Sequence, residues 1–379
     1  MTPLTGITQY AVTFAWETDV WGTAKRLALA VALIVLTSSI LLMSDIARRK
    51  PRQGAHDAGS KLVPSGDPLP RRWKLYFIEY NRVLDVEESE EGVRQGLRES
   101  GLVEGRDYDI KVVNAQGEMT TVTALVDAAI TDRADLLVTF STPTLQAAIQ
   151  RAQGTPVVFT YVANGLIAGA GRSATDHLPN VTGLSFTPAF DEMLTLMQRW
   201  FPHIHRLGTL SVPAESNMVY YLKVLEEAAH KRGFEVVSVP VSSASDVADA
   251  ATALASKNID TICQIPGNLT ASAFGSISQA ALRERMPVFA FQSAQARQGA
   301  TVVLSQDYKE AGRHGGAMAA NIMRGEDPHQ IPLEWFSKTR VVLNADAARA
   351  IGLKLPTGLQ SSAKEIIGKA DGNQQAATR

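Results

Sequence analysis

The sequence predicts an α/β protein of two lobes, each a parallel sheet covered by helices, preceded by one N-terminal membrane-spanning helix. Three observations carry this expectation. Short β-type runs alternate with helical patterns, most of the strand runs are continuously apolar, and the alternation restarts after a Gly- and Pro-containing passage at 165–183. A strand apolar at every position is buried on both faces, the condition of a parallel sheet between helix layers. With 379 residues, the chain also exceeds the ~250–300 at which one hydrophobic core stops growing.

The first element follows a segment at 1–26. LALAVALIVLTSSILLMS, Leu27 to Ser44, carries no charge and lies between Lys25-Arg26 and RRKPR at 48–52. A helix of that length spans roughly 27 Å, close to the ~30 Å hydrocarbon layer. It ends SILLMSDIARR, without the small residues of a signal-peptidase site, and no cysteine follows it to take a lipid. An uncleaved single-pass anchor at 27–46 is therefore expected. Residues 47–72, rich in Pro, Gly, Ser and charge, read as a flexible linker.

The body begins with KLYFIEY and the helical VEESEEGVRQGLRESG, continues through YDIKVVNA, MTTVTALVDAAITDR, DLLVTF and PTLQAAIQRAQG, and reaches PVVFTY. The second series runs from AFDEMLTLMQRWF through RLGTLSV, EVVSVPV and TICQI to PVFAF, with helical stretches between. A third passage, from Ala300 onward, is too small for a lobe of its own and is expected to complete the other two. The expected division is 73–185 plus 303–328 in the first lobe, 186–302 plus 329–359 in the second, and a flexible tail at 360–379.

Composition excludes several functions. A formal net charge of −1, with no helix-turn-helix or aromatic-basic stripe, argues against nucleic-acid partners. The lone cysteine, Cys263 in TICQI, permits no internal disulfide and no CxxC metal site, and reads as a small buried hydrophobe. There is no GxSxG elbow, P-loop or HExxH, so no enzyme activity, cofactor or metal is expected. Gly169-Ala170-Gly171 lacks the third glycine of a dinucleotide fingerprint, and His203-Ile204-His205 suits a helix C-terminus better than a metal.

The candidate site lies at the strand ends, because open parallel sheets bind ligands outside the carboxyl ends of their strands. DLLVTF stops on Ser141-Thr142-Pro143-Thr144 and turns at once into a helix. With Thr142 as N-cap and Pro143 at the first helical position, the N–H groups of Thr144 and Leu145 would face a ligand, helped by the Ser141, Thr142 and Thr144 hydroxyls. A plain cap accounts for Thr142 and Pro143 alone. Similar polar helix starts occur at Glu215, Ser216 and Asn217, at Asn268 and Thr270, at Gln292 and Ser293, and at Gln306 and Asp307. Tyr80, Tyr161 and Phe291 end strands as well, as flat walls of a site or as edge-of-core packing.

Several of these stretches have a familiar form. GLRESGLVEGRDYDIKVVNAQGEMTTVTALVDAAI, STPTLQAA, PNVTGLS, PVFAFQSAQARQGA, LSQDYKEAGRHGGAMAANIMRGEDP and VVLNADAARAIGLKLP occur in order. Together they resemble the substrate-binding proteins of ABC importers in the tryptophan/tyrosine-binding-protein-like family, over about Trp73 to Leu359. The resemblance implies a type I periplasmic-binding-protein fold: two Rossmann-like lobes joined by three crossovers and closing on a solute. It also implies delivery to an ABC permease driven by a separate ATPase subunit. By the family pattern the ligand site takes in Ser141, Thr142 and Thr144, with Ser216, Asn217, Asn268, Gln292 and Ser293; Tyr80, Tyr161, Asn164 and Asp307 complete the expected set.

This chain departs from that pattern in three places. It reads Tyr161-Val162-Ala163-Asn164-Gly165 where aspartate-proline is common, and FQSAQ where many members carry acidic residues. Glu79, Glu215 or Asp307 would then have to supply a counter-charge for a ligand ammonium. The third departure is the anchor. Four basic residues after it and two before it favour a cytoplasmic body by the positive-inside rule, whereas a capture protein belongs on the extracytoplasmic, periplasmic side, the location expected here. The same cleft would also serve a membrane-tethered sensing domain.

Overall fold

The computed structural model describes residues 69–368. The expected anchor at 27–46, the segment before it and most of the linker lie outside the described residues. Among the described residues no helix is long and apolar enough to cross a membrane.

The first sheet is built from β1 (Trp73–Glu79), β2 (Tyr108–Asn114), β3 (Leu136–Phe140), β4 (Val157–Val162) and β5 (Val181–Phe186), all parallel, in the spatial order β5-β4-β3-β1-β2. Every residue of β3 and β5 is buried. Successive side chains point to opposite faces. Leu75, Phe77, Val138 and Phe140 pack beneath the helices Leu84–Glu99 and Tyr308–Met323, while Tyr76, Ile78, Leu137 and Phe159 pack on the other side with residues of Met119–Thr131 and Thr142–Arg151.

After β5 the chain crosses to a second sheet: β6 (Arg206–Ser211), β7 (Glu235–Pro240), β8 (Thr261–Gln264), β9 (Val288–Ala290) and β10 (Val302–Gln306), in the order β10-β9-β8-β6-β7. Its core gathers Phe190, Phe274, Phe289 and Phe291 around Cys263, which is fully buried; burial pushes its thiol up to about 12. The chain then returns, and β11 (Glu334–Phe336) joins β5. A last crossing brings β12 (Thr339–Asn344) beside β10 and β13 (Glu365–Ile367) beside β12. The lobes are thus linked three times, after Phe186, after Gln306 and after Phe336.

Four details correct the sequence reading. The stretch expected in the first lobe at 303–328 is divided, because β10 pairs within the second sheet and only the following helix enters the first lobe. Likewise Glu334–Phe336, expected in the second lobe, extends the first sheet. A run that is apolar throughout carries no mark of which sheet it joins; its pairing partner decides. β12 runs antiparallel to β10, so the second sheet is mixed, and Glu365–Ile367 is a paired strand where a free tail was expected.

The returning helix is fixed by glycine. Gly92 and Gly96 on Leu84–Glu99 meet Gly312 and Gly316 on Tyr308–Met323. A Cβ on Gly312 would stand 2.0 Å from the Ser89 carbonyl oxygen, and one on Gly92 would stand 2.1 Å from that of Lys309. Only backbones without side chains can approach this closely, so the four glycines seat the returning helix against the first lobe.

Candidate ligand-binding site

Where the carboxyl ends of the two sheets face each other, the lobes enclose a small cavity. The first lobe contributes Thr142, Tyr161, Phe186 and Tyr308, and the second Asn217, Tyr221, Gly267, Asn268 and Gln292. All but Tyr221, which stands within the helix Ser216–Lys231, lie at or just after a strand end.

The rings form one connected wall. Tyr308 meets Tyr161 edge-on at 5.0 Å and Phe186 at 5.4 Å, and the Tyr221 hydroxyl donates to the Phe186 carbonyl at 2.8 Å. Burial raises the phenol pKa of Tyr161, Tyr221 and Tyr308 well above the ordinary value, so all three stay neutral. No charged side chain lines the cavity among the described residues. Tyr161 has a φ of 56°, a left-handed conformation that costs a non-glycine residue ~1–3 kcal/mol and is common at ligand sites.

Of the expected residues, Thr142, Tyr161, Asn217, Asn268 and Gln292 line this cavity. Tyr80 and Ser216 line a wider polar recess at the mouth of the cleft, which Asn268 shares. The Tyr80 hydroxyl is already engaged by the Gly117 carbonyl.

The turn at 141–144 is capped one residue earlier than expected. Ser141, at φ 147°, is the N-cap of Thr142–Arg151, and its hydroxyl accepts the Thr144 N–H at 3.3 Å. The Thr144 hydroxyl donates to the Ser141 carbonyl at 3.0 Å, and the Leu145 N–H reaches that carbonyl at 3.2 Å. Ser141 and Thr144 are therefore consumed by the helix they start, and Thr142 alone faces the cavity. Its Oγ1 accepts the Ala163 N–H at 3.3 Å, leaving its own proton to donate.

Three expected residues do other work. Asn164 caps a turn, its Oδ1 accepting the N–H groups of Leu166 at 2.9 Å and Ile167 at 3.1 Å. Asp307 sits in the second crossing, where its N–H donates to the Lys338 carbonyl of the third at 3.0 Å and its carboxylate caps the returning helix. It thereby ties the second crossing to the third. Ser293 belongs to the closure: its N–H donates to Asp85 Oδ1 at 3.0 Å, and its hydroxyl to the same oxygen.

That bond joins the lobes, and others accompany it. Gln292 Nε2 donates to the Tyr161 hydroxyl, Asn81 Nδ2 to the Asn268 carbonyl at 3.1 Å, and Gln146 Nε2 to Ser216 at 3.3 Å; Arg340 pairs with Glu88. The lobes are closed. Asp85 is fully buried, and that burial pushes its carboxyl up to about 7.

None of the carboxylates considered as counter-charges lines the cavity. Glu79 is buried beside Asn114 and Glu90, its carboxyl pushed up to about 7 by burial. Glu215 is held by neighbouring amides, and Asp307 lies in the second crossing.

Sequence reasoning missed Asp85, Tyr221, Phe186 and Tyr308. Tyr308 and Phe186 also end or follow strands and were open to the same rule. Tyr221 lies inside the helix Ser216–Lys231, where nothing local distinguishes it from core packing.

The chain is similar to several known proteins. A tyrosine-binding protein from Clostridioides difficile is 26% identical over 269 residues, covering 71% of this chain and 78% of that protein. A solved domain from Streptococcus pneumonia in complex with L-Trp has a TM-score of 0.75 at 22% identity, covering 78% of this chain and 100% of its own. A ligand-free, open substrate-binding protein with adhesive properties from Clostridium difficile has a TM-score of 0.62 at 26% identity, with 78% and 100% covered. The fold is the two-lobed type I periplasmic-binding-protein fold. The profile of the ABC transporter substrate binding protein family matches residues 82–367, and the chain belongs to that family, one of substrate-binding proteins rather than enzymes.

Proposed function

We propose that the chain captures an aromatic amino acid, or a related small polar solute, between its lobes and presents the closed form to an ABC permease driven by a separate ATPase. One observation carries this reading: the cavity is lined from both lobes by aromatic rings and uncharged hydrogen-bonding groups. A ligand shifts a hinge only by its differential affinity for the two states, so contacts to both lobes are what couple binding to closure. Thr142 and Tyr161 on one side, and Asn217, Asn268 and Gln292 on the other, are the proposed contacts. The names of the tyrosine-binding relative and of the L-Trp complex favour an aromatic side chain. The apolar segment at 27–46 would hold the body at the membrane on its extracytoplasmic side.

Calorimetric titration of the purified chain with L-tyrosine and L-tryptophan tests the reading. It predicts one site per chain with a micromolar constant, about −8 kcal/mol. Absence of binding by both, and by related aromatic solutes, would overturn it.

A further inference from the structure

We infer that Glu215 turns two cavity asparagines into hydrogen-bond acceptors, so that the second-lobe wall receives a protonated amine of the ligand. The inference rests on the proposed reading of the cavity as the solute site. Glu215 is buried, and its Oε2 accepts from Asn217 Nδ2 at 3.2 Å, from Asn268 Nδ2 at 3.0 Å and from the Asn268 N–H at 2.8 Å. Its Oε1 accepts the Leu269 N–H at 2.8 Å. An ionised carboxylate only accepts, so it fixes the orientation of both side-chain amides: each NH2 faces Glu215 and each carbonyl oxygen faces away.

Both asparagines line the cavity, and Asn217 Oδ1 is a buried acceptor with no partner. A carbonyl left so is costly until a donor reaches it. Among the described residues Glu215 has no ion pair, and its carboxylate behind the two amides is held by these four N–H donors alone. An ammonium entering here would meet two carbonyl dipoles with a formal negative charge one layer back. The opposite wall has the reverse character, since Thr142 keeps a hydroxyl proton to donate. This arrangement receives an α-amino group although no carboxylate lines the cavity.

The test compares matched ligands on the full chain: L-tyrosine against 3-(4-hydroxyphenyl)propionate, and L-tryptophan against indole-3-propionate, by calorimetry at neutral pH. The wild type is expected to favour the amine of each pair by more than tenfold. In Glu215→Gln, whose amide no longer fixes the asparagines, that ratio should fall below about threefold. Asn217→Ala removes the orphan acceptor while leaving Glu215 bonded to Asn268 and Leu269, and should lower the ratio in the same direction. The ratio is read only on variants that melt cooperatively, and if Glu215→Gln does not fold, Asn217→Ala decides. An undiminished ratio in the folded variants, or no amine preference in the wild type, overturns the inference while leaving solute capture intact. If the wild type binds neither member of any pair, the proposed function fails and this inference falls with it.

Discussion

Replacing Asp85 with asparagine removes a buried charge that opening of the lobes would return to water. In the closed form its carboxyl is pushed up to about 7, chiefly by burial, against an ordinary value of 3.8; Glu88 adds to the rise, while the Ser293 hydroxyl and N–H and the Arg340 guanidinium oppose it. Tyr161 and Tyr308, the other titratable groups that feel its charge, stay neutral. Above pH 7 the group is ionised in both states, and closure bears the full cost of burying it, at most about 4 kcal/mol. As the pH falls from 7 towards 4 the closed form takes up a proton and that cost disappears. Closure, and ligand affinity with it, should therefore strengthen on acidification. Between pH 8 and pH 6 the dissociation constant should fall about tenfold, from the titration of one group near 7. Asp85→Asn, neutral throughout, should bind more tightly than wild type at pH 8 and change less than about twofold across the same range. Calorimetry with a solute that does not itself titrate in this window makes the measurement. A flat wild-type profile, or an undiminished slope in Asp85→Asn, would refute the reasoning.

Two further predictions concern the scaffold. Gly312→Ala, whose Cβ would stand 2.0 Å from the Ser89 carbonyl, should destabilise the fold by about 3 kcal/mol or more in denaturant unfolding. Gly315→Ala, three residues along the same helix with its nearest contact at 3.6 Å, should be neutral or stabilising by up to ~1 kcal/mol; equal effects would sink the close-packing account. Cys263 should resist a thiol reagent in the native protein and react only on unfolding, as its burial requires. Rapid native labelling would contradict that placement.

Much of this architecture was legible because it depends on local pattern. The continuous apolar runs became buried parallel strands, and their ends pointed to Thr142, Tyr161, Asn217, Asn268 and Gln292. What failed to show depended on distant partners. Ser141 and Thr144 look the same in sequence whether their hydroxyls serve a ligand or their own helix, and only the hydrogen bonds of the folded turn decide. Asp307 follows a strand like the others, but that strand is the last before a crossing, so its end lies in that crossing. Asp85 and Glu215 act through residues 208 and 53 positions away, Ser293 and Asn268, a separation no spacing rule reaches. Gly92, Gly96, Gly312 and Gly316 carry a four-residue spacing on both helices, a signal that was available and was not read.

The account depends most on a grip shared by both lobes, and binding to single-lobe variants tests this directly. Thr142→Ala removes a donor from the first lobe and Asn268→Ala an acceptor from the second. With one solute and calorimetry under one set of conditions, each should weaken binding by roughly 1–2 kcal/mol, about five- to thirtyfold. If either variant binds as wild type does, the solute is held by one lobe alone, and closure driven by a ligand bridging the cleft is contradicted.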